Sequence, residues 1–199
     1  MVITAVILAA GAATRFGGPK QIAEIDGEPL VHRSIRTARV AGARRIVCVV
    51  GAHIERVRPA LSDLEVHVVD NPKWRLGLST SIVCGVRAAI HLGETESLAV
   101  LLADQPFIPA SHLRALHTQR EDNGAPVAAT AYEHGVGVPA VFGASLFPAL
   151  QTLTGDRGAA KLIRNCARSV SVAVPSAAVL DIDSPADLRA ARRAAGEVE

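Results

Sequence analysis

The sequence predicts an α/β fold in which helices cover both faces of a mostly parallel β-sheet. Apolar runs of strand length alternate with amphipathic stretches of helix length through the first half of the chain. These runs are continuously apolar, as expected of strands that are buried on both faces. Apolar residues make up 49% of the 199 residues and aromatic residues only 3%, so Val, Ile, Leu and Ala must build the core. Functional side chains are then expected at the carboxyl ends of the strands.

The first half supplies four strand and helix pairs. A glycine ends the first of these helices, and Ser79 or Thr80 is expected to cap the third. The strands are predicted at 3–10, 45–52, 64–71 and 97–106, and the helices at 29–42, 53–61, 79–93 and from about 111.

The second half is less regular but contains no repeat and no linker. Short strands are predicted at 126–132 and 137–143, and helices at 157–166 and 184–194. Ser184 is a plausible cap for the last helix, with Pro185 at its first position. We therefore expect a single domain over 1–199.

Composition and charge exclude several classes of protein. The 21 Lys and Arg residues against 19 Asp and Glu give a net charge of +2, and no basic stripe indicates nucleic-acid or membrane binding. The three cysteines lie far apart without a CxxC pair, which argues against a disulfide framework or a zinc site and favours the reducing cytoplasm. The apolar start of the chain lacks the basic flank of a signal peptide and is too short to span a bilayer.

The stretch AVILAAGAATRFGGPK, residues 5–20, runs from a predicted strand into a turn of small residues with Arg15 and Lys20. Small residues let the backbone approach a ligand closely, and free N–H groups bind anions. The spacing matches neither GxxxxGK[ST] nor GxGxxG. The stretch is interpreted as a polyphosphate-binding loop; the alternative is an ordinary turn with two surface cations.

Two segments of the chain carry aspartates that are candidates for a functional site. Asp104 ends an apolar run, where a carboxylate is costly unless something pairs with it. It would hold Mg²⁺, which needs only one or two carboxylates besides substrate phosphates, or it would cap the next helix. Asp181 and Asp183 would point to one side if their segment is extended. The alternative for Asp183 is support of the last helix.

The loop 70–82 carries hydroxyls that would cap a helix or face a ligand. Trp74, the only tryptophan, would form part of an acceptor pocket or cover the core edge.

The pattern LAAG-x-x-x-R-x-G-x-P-K resembles the signature of MobA-like nucleotidyltransferases, and within them the molybdenum cofactor cytidylyltransferases. The resemblance implies a three-layer α/β/α Rossmann-like fold with a mostly parallel, mixed sheet, of the nucleotide-diphospho-sugar transferase type. It implies that Arg15 and Lys20 hold phosphates and are catalytic together with Asp104, and that Ala10 favours CTP over GTP. Base and ribose would face Leu8, Ala9, Ala10 and Gly11.

Other blocks match the same family. Asp104 in DQP and Asp183 in DSPADL take the family's metal-binding roles, with Asp181 as the weaker candidate. The chain departs from the family at Ala13, where serine is frequent, and at Val138, where the cytidylyltransferases often have histidine. The matches also imply nucleotide contacts from Gly77, Ser79 and Ser81, and acceptor contacts from Gly137, Pro139, Gly155, Asp156 and Gly158.

The resemblance implies a Mg²⁺-dependent reaction, with Mn²⁺ as an alternative. CMP would pass from CTP to a phosphate-bearing acceptor, molybdopterin being the first candidate, and pyrophosphate would leave. Residues 1–105 would bind the nucleotide and 106–199 the acceptor, with a molybdoenzyme or its chaperone as a further partner. The alternatives are guanylyl transfer from GTP, cytidylyl transfer to a sugar or polyol phosphate, and a non-catalytic cofactor chaperone.

Overall fold

The computed structural model describes residues 3–175 and 178–196. Within these ranges it has nine strands: β1 (Ile3–Ala9), β2 (Glu24–Ile25), β3 (Glu28–Pro29), β4 (Arg45–Val50), β5 (His67–Asp70), β6 (Ser97–Leu102), β7 (Val127–Tyr132), β8 (Gly135–Gly143) and β9 (Val170–Ala173). Seven of them form one sheet in the order β5-β4-β1-β6-β8-β7-β9, and β2 pairs with β3 as a separate ribbon.

Helices connect these strands. They are α1 (Leu30–Val40), α2 (Ile54–Val57), α3 (Leu78–His91), α4 (Ala110–Asp122), α5 (Phe147–Leu150), α6 (Ala160–Asn165) and α7 (Pro185–Ala195). None of the helices in the described ranges is long and apolar enough to cross a membrane.

The strands of the first half are parallel, as predicted. β1 pairs with β4 on one side and β6 on the other, and β4 pairs with β5. Ala9 lies opposite Val50, and Leu8 lies opposite Leu102, so the three central strands end level with one another. The segments that follow β1, β4 and β6 therefore gather at one edge of the sheet.

The second half makes the sheet mixed. β8 inserts between β6 and β7 and is antiparallel to both, while β9 adds to β7 in the parallel direction. The predicted α/β class with a mostly parallel, mixed sheet is confirmed. The sequence did not predict β9, the short helix α5 or the β2–β3 ribbon.

The core lies on both faces of the sheet, because successive strand residues point to opposite sides. Ile7, Cys48 and Leu101 pack on the face that α1 and α4 cover, and Val6 and Val100 pack on the face that α3 covers. These side chains are all buried. Small and β-branched residues supply this core, as the composition indicated.

Two helix starts differ in how well they were predicted. Ser184 caps α7 by accepting a hydrogen bond from the Asp187 N–H, with Pro185 at the first position, as expected. The predicted capping of α3 by Ser79 or Thr80 is wrong, since α3 begins at Leu78. Gly77 precedes that helix with a φ of 103°, which favours glycine, and no side chain caps the helix there.

Candidate functional site

The segment after β1, residues 10–19, is here called the β1 loop. Within it Ala13 has a φ of 51°, and its carbonyl accepts hydrogen bonds from the N–H groups of Phe16 and Gly17 at 3.0 and 3.1 Å. The backbone N–H groups of residues 11–15 have no acceptor among the described residues. A run of free N–H groups in a tight turn is a binding surface for anions.

Lys20 joins two segments that are distant in sequence. Its Nζ lies 2.7 Å from Asp104 Oδ2 and 2.8 Å from Asp183 Oδ1. Arg15 Nη2 lies 2.7 Å from Asp183 Oδ2. The Lys20 side chain is only 11% exposed, whereas that of Arg15 is 75% exposed. The structure thus brings together the two cations and the two principal carboxylates singled out in the sequence.

The charges in this cluster stabilise one another. Burial alone would lower the pKa of Lys20, but the nearby charges and hydrogen bonds of Asp104 and Asp183 outweigh burial and raise it. The pKa of Asp183 is lowered, first by its hydrogen bond from Lys20 and further by the charges of Lys20 and Arg15, against a smaller effect of burial. Lys20 is therefore cationic and Asp183 anionic at neutral pH.

The carboxylates of Asp104 and Asp183 suit a divalent cation. Asp104 Oδ1 is buried without a hydrogen-bond partner among the described residues. Carboxylate oxygens are the hard ligands that Mg²⁺ and Mn²⁺ accept. The described residues contain no group of three or more His, Cys, Asp or Glu side chains that could hold a metal by themselves. A cation held here would need further ligands from elsewhere.

The alternative role of Asp104 as a helix cap is wrong. The next helix, α4, begins at Ala110 after Pro109. The backbone carbonyl of Asp104 instead accepts a hydrogen bond from the N–H of Ile182 at 3.0 Å. This bond ties the segment after β6 to the segment before α7 and holds the two carboxylates side by side.

A first cavity of about 320 Å³ opens beside this cluster. Ala9 and Ser79, which were predicted to contact nucleotide, lie outside its wall. The Ala9 side chain is in the core, and the Ser79 hydroxyl donates to the carbonyl of Thr154 at 3.1 Å. The other predicted nucleotide-binding residues line the cavity: Leu8, Ala10, Gly11, Arg15, Lys20, Gly77 and Ser81.

A second cavity of about 280 Å³ adjoins the first, and Leu78 lines both. Gln105 Nε2 donates to Asp181 Oδ1 at 3.0 Å and to the Tyr132 hydroxyl at 3.3 Å. The Tyr132 hydroxyl in turn donates to the Val138 carbonyl. Burial raises the pKa of Asp181, as do the negative charges of Asp104 and Asp183, although the hydrogen bond from Gln105 opposes the rise.

The predicted acceptor-binding residues are placed around this second cavity rather than all within it. Gly137 lines it, whereas Pro139 is buried and its carbonyl accepts from Thr130 Oγ1 at 2.7 Å. The turn containing Gly155, Asp156 and Gly158 packs against the start of α3. A Cβ on Gly77 would lie 2.1 Å from Asp156 Oδ1, and one on Gly158 would lie 2.9 Å from Leu78 Cδ2. This turn shapes the wall, and the adjacent Arg157, Ala159 and Ala160 line the cavity.

Asp181 and Asp183 do not share one side of a strand, because their segment is not a strand. Asp183 lines the first cavity and Asp181 the second. The two carboxylates therefore serve different parts of the site.

Sequence reasoning missed several residues of the site. Gln21 and Gln105 directly follow Lys20 and Asp104, and this adjacency was a signal that could have marked them. His53, whose Nε2 lies 3.0 Å from the Ala12 carbonyl, offered no such signal. Trp74 lines the first cavity and also packs against the core, with the Arg75 guanidinium 4.3 Å from its ring centre.

Comparison with known proteins identifies the domain. Residues 5–172 match the family model of the MobA-like NTP transferase domain. The chain is 29% identical over 202 residues to the purine catabolism protein PucB of Bacillus subtilis, covering 95% of both chains. It is 35% identical over 125 residues to the bifunctional protein GlmU of Geobacter sulfurreducens, where the match covers 62% of this chain but 26% of that protein.

Solved structures share the fold over nearly the whole chain. Rv0371c of Mycobacterium tuberculosis H37Rv superposes with a TM-score of 0.79 at 28% identity, covering 97% of this chain and 99% of that one. A manganese complex of Rv0371C matches with a TM-score of 0.74 at 26% identity and the same coverage. The molybdopterin-guanine dinucleotide biosynthesis protein A of Archaeoglobus fulgidus matches with a TM-score of 0.74, covering 98% of this chain and 100% of that one. Its identity of 17% shows a common fold alone.

Proposed function

The chain belongs to the MobA-like NTP transferase family, and we propose that it transfers CMP from CTP to a phosphate-bearing acceptor with release of pyrophosphate. The observation that carries this proposal is the meeting of Lys20 with Asp104 and Asp183 beside the free N–H groups of the β1 loop. The cluster combines fixed cations, backbone donors and hard oxygen ligands. A nucleoside triphosphate needs all three.

The cations and the β1 loop would bind the triphosphate. The free N–H groups of residues 11–15 would donate to phosphate oxygens, and the exposed Arg15 would pair with the β- and γ-phosphates. Lys20, being largely buried, would stabilise the charge on the α-phosphate as the reaction proceeds. Both cations would have to exchange carboxylate partners for phosphate oxygens when the nucleotide binds.

Asp104 and Asp183 would hold Mg²⁺, or Mn²⁺ in its place. Asp104 Oδ1, which is buried and has no hydrogen-bond partner within the described ranges, supports this assignment, as does the existence of a manganese complex of the similar Rv0371C. When bound, such a cation neutralises phosphate charge and so lowers the barrier to attack by an anion. Two protein carboxylates are enough, because phosphate oxygens and water commonly complete the shell of Mg²⁺.

The second cavity would hold the acceptor. Because it adjoins the first cavity at Leu78, an acceptor phosphate bound there would be able to reach the α-phosphorus of CTP. An acceptor phosphate that is ionised at neutral pH would need no general base. The wall is largely apolar, with the carboxylate of Asp181 as a hydrogen-bond acceptor and Arg157 as a cation. A flat ring with N–H groups, as in molybdopterin, suits such a wall. Residues 1–105 and 106–199 would then serve mainly nucleotide and acceptor, respectively.

One observation favours a second candidate acceptor. Val138 contributes an apolar side chain to the second cavity where the cytidylyltransferases of the molybdenum cofactor often have histidine. A sugar or polyol phosphate is therefore the second acceptor class to test.

The test is pyrophosphate release by the purified protein with Mg²⁺ and either CTP or GTP. Each nucleotide is supplied alone, with molybdenum cofactor, or with a panel of sugar and polyol phosphates. We expect release with CTP that depends on the molybdenum cofactor. Release with GTP would instead show that the protein is a guanylyltransferase. Release only with a sugar or polyol phosphate would show that this compound, and not the molybdenum cofactor, is the acceptor. Binding of CTP without release under any condition would favour a non-catalytic chaperone.

A further inference from the structure

The side chain of Gln21 forms hydrogen bonds with the backbone at the start of the β1 loop. Its Nε2 donates to the carbonyl of Ala9 at 3.0 Å and to the carbonyl of Gly11 at 2.7 Å. Because carbonyl oxygens only accept, both contacts require the amide NH₂ group and so fix the orientation of this side chain. Gln21 is 3% exposed, and its Oε1 has no partner among the described residues.

His53 holds the next peptide group. Its Nε2 lies 3.0 Å from the carbonyl of Ala12, and this nitrogen must carry a proton because the carbonyl can only accept. His53 follows β4 and lies immediately before α2, with a φ of 58°. A left-handed conformation is uncommon for a residue other than glycine, and it persists where the surroundings enforce it.

The third carbonyl, that of Ala13, is held within the loop by the N–H groups of Phe16 and Gly17. Three successive peptide groups of the β1 loop therefore have their carbonyl oxygens bound. In a trans peptide the N–H points away from the C=O, so the three N–H groups of Ala12, Ala13 and Thr14 are directed away from these partners. None of the three has an acceptor among the described residues.

We propose that Gln21 and His53 are positioning residues that hold the β1 loop with its N–H groups ready for a triphosphate. This inference rests on the proposed function, since it assumes that a triphosphate binds at this loop. Without the two side chains the peptide groups would rotate among several conformations, and binding would have to order them. Gln21 also lines the first cavity, but its amide NH₂ group, like the ring N–H of His53, is engaged by backbone carbonyls, so both side chains would reduce that cost through the backbone.

Two features separate this role from ordinary support of the fold. Gln21 buries an amide oxygen that has no hydrogen-bond partner in the described part of the chain, which opposes folding, and His53 adopts a backbone conformation that also opposes folding. Both side chains direct their hydrogen bonds to the backbone around the β1 loop. We attribute both unfavourable features to the orientation that these hydrogen bonds impose on the peptide groups of the β1 loop.

The test compares matched variants. Gln21→Met keeps most of the side-chain volume and removes both donors. His53→Asn introduces a residue that tolerates the left-handed conformation but is too short to donate to the Ala12 carbonyl. His53→Gln places an amide donor near the original position of Nε2. Gln119→Met, at an exposed position on α4, is the control for the substitution itself.

Binding is measured with two separate probes, inorganic triphosphate and cytidine, both in the presence of Mg²⁺. The fluorescence of Trp74, which lines the first cavity and is the only tryptophan, reports each of them. We expect Gln21→Met and His53→Asn to weaken triphosphate binding about tenfold or more, the scale of one lost hydrogen bond, with a matching rise in the KM for CTP. Cytidine binding and the KM for the acceptor should not change, and His53→Gln should recover most of the loss.

Equal triphosphate binding by folded variants and the unaltered protein would overturn the positioning role. A parallel loss of triphosphate and cytidine binding, with a lower melting temperature, would also overturn it by showing general damage to the fold. Failure of the unaltered protein to bind triphosphate would overturn both this inference and the proposed function. Triphosphate binding that depends on Gln21 and His53, in a protein that transfers no CMP, would support the positioning role and reject the proposed reaction.

Discussion

Lys20 is a charged residue in the wall of the first cavity. It is largely buried and lies within 2.8 Å of two carboxylates, which keep it charged despite burial. In the proposed reaction the same ammonium would stabilise the α-phosphate. Its fixed position supplies electrostatic stabilisation without reorganisation of solvent.

Lys20→Ala is expected to lower kcat about 10²-fold or more, the magnitude for loss of one preorganised group. Removing Lys20 leaves the carboxylates of Asp104 and Asp183 close together without their shared cation, which lowers stability, so folding of the variant is checked by circular dichroism. Steady-state kinetics of CMP transfer measure the effect, with Lys161→Ala at an exposed position of α6 as the control. Unchanged turnover in Lys20→Ala would refute this role.

Asp104→Asn is expected to abolish metal-dependent activity, because an amide provides a neutral and weaker ligand than a carboxylate. The measurement is activity across a titration of Mg²⁺ and of Mn²⁺, with Asp63→Asn at an exposed position as the control. Full activity with an unaltered metal response would show that Asp104 holds no cation.

The positions of Asp104 and Asp183 marked both as candidates, but the choice of a metal-binding role over a helix cap came from the resemblance to the family. Asp104 ends an apolar run, and Asp183 precedes the capping residue of α7. The contacts of Gln21 and His53 could not be predicted in this way. Both donate to backbone carbonyls, and such a partner leaves no mark on the sequence of the residue that accepts.

Among the elements, α3 packs closely against the sheet at a glycine. A Cβ on Gly85 would lie 2.3 Å from Val6 Cγ1 and 2.9 Å from Val49 Cγ2. Glycine at this position therefore allows α3 to pack against β1 and β4, and so places Gly77, Leu78 and Ser81 at the first cavity.

Gly85→Ala should destabilise the protein by about 1–3 kcal/mol, the typical cost of overpacking a core. In an exposed helix the same change would stabilise by up to ~1 kcal/mol, so the sign of the effect identifies the packing. Urea unfolding measures it, with Thr118→Ala on the exposed face of α4 for comparison. A stabilised Gly85→Ala variant would contradict the close packing of α3.

A buried histidine makes the packing of α4 on β7 sensitive to acid. His112 Nε2 donates to Thr130 Oγ1 at 2.8 Å, because that hydroxyl already donates to Pro139. Burial lowers the pKa of His112 below its ordinary value of about 6.5. The unfolded chain then binds more protons than the folded one, and stability falls as the pH drops below 6.5.

His112→Gln retains an amide donor for Thr130 and removes the titration. Relative to this variant, the free energy of unfolding of the unaltered protein should be constant above pH 6.5 and should decline below it until the lowered pKa is passed. Urea unfolding at a series of pH values measures the difference. Parallel pH profiles for the two proteins would show that His112 titrates normally in the fold.

The central strands of the first half, β1, β4 and β6, could be predicted because nearly all of their residues are buried and form continuous apolar runs. The helices α1 and α3 could be predicted because each buries one stripe of side chains. β9 could not, because its four residues only alternate between half-buried and exposed. Its pairing with β7 is decided by contacts that the sequence of the strand does not reveal. The insertion of β8 between β6 and β7 is likewise a property of the assembled sheet.

For the molecule as a whole, the sheet order explains how the two cavities come to adjoin. The β1 loop and the end of β6 meet because β1 and β6 are neighbours, and β8 beside β6 brings Gly137 and Val138 to the second cavity. The segment before α7 then contributes Asp183 to one cavity and Asp181 to the other. A nucleotide and an acceptor bound in these cavities would meet beside Asp104.

Nucleotidyl transfer is tested most directly by following isotopically labelled phosphorus from CTP into the products. CTP labelled at the α-phosphorus and CTP labelled at the γ-phosphorus are incubated separately with protein, Mg²⁺ and the acceptor identified by pyrophosphate release. The α-label should appear in the acceptor product and the γ-label in pyrophosphate, in equal amounts and only when acceptor is present. Appearance of the γ-label in the acceptor, or in free orthophosphate, would contradict the account by showing phosphoryl transfer or hydrolysis instead.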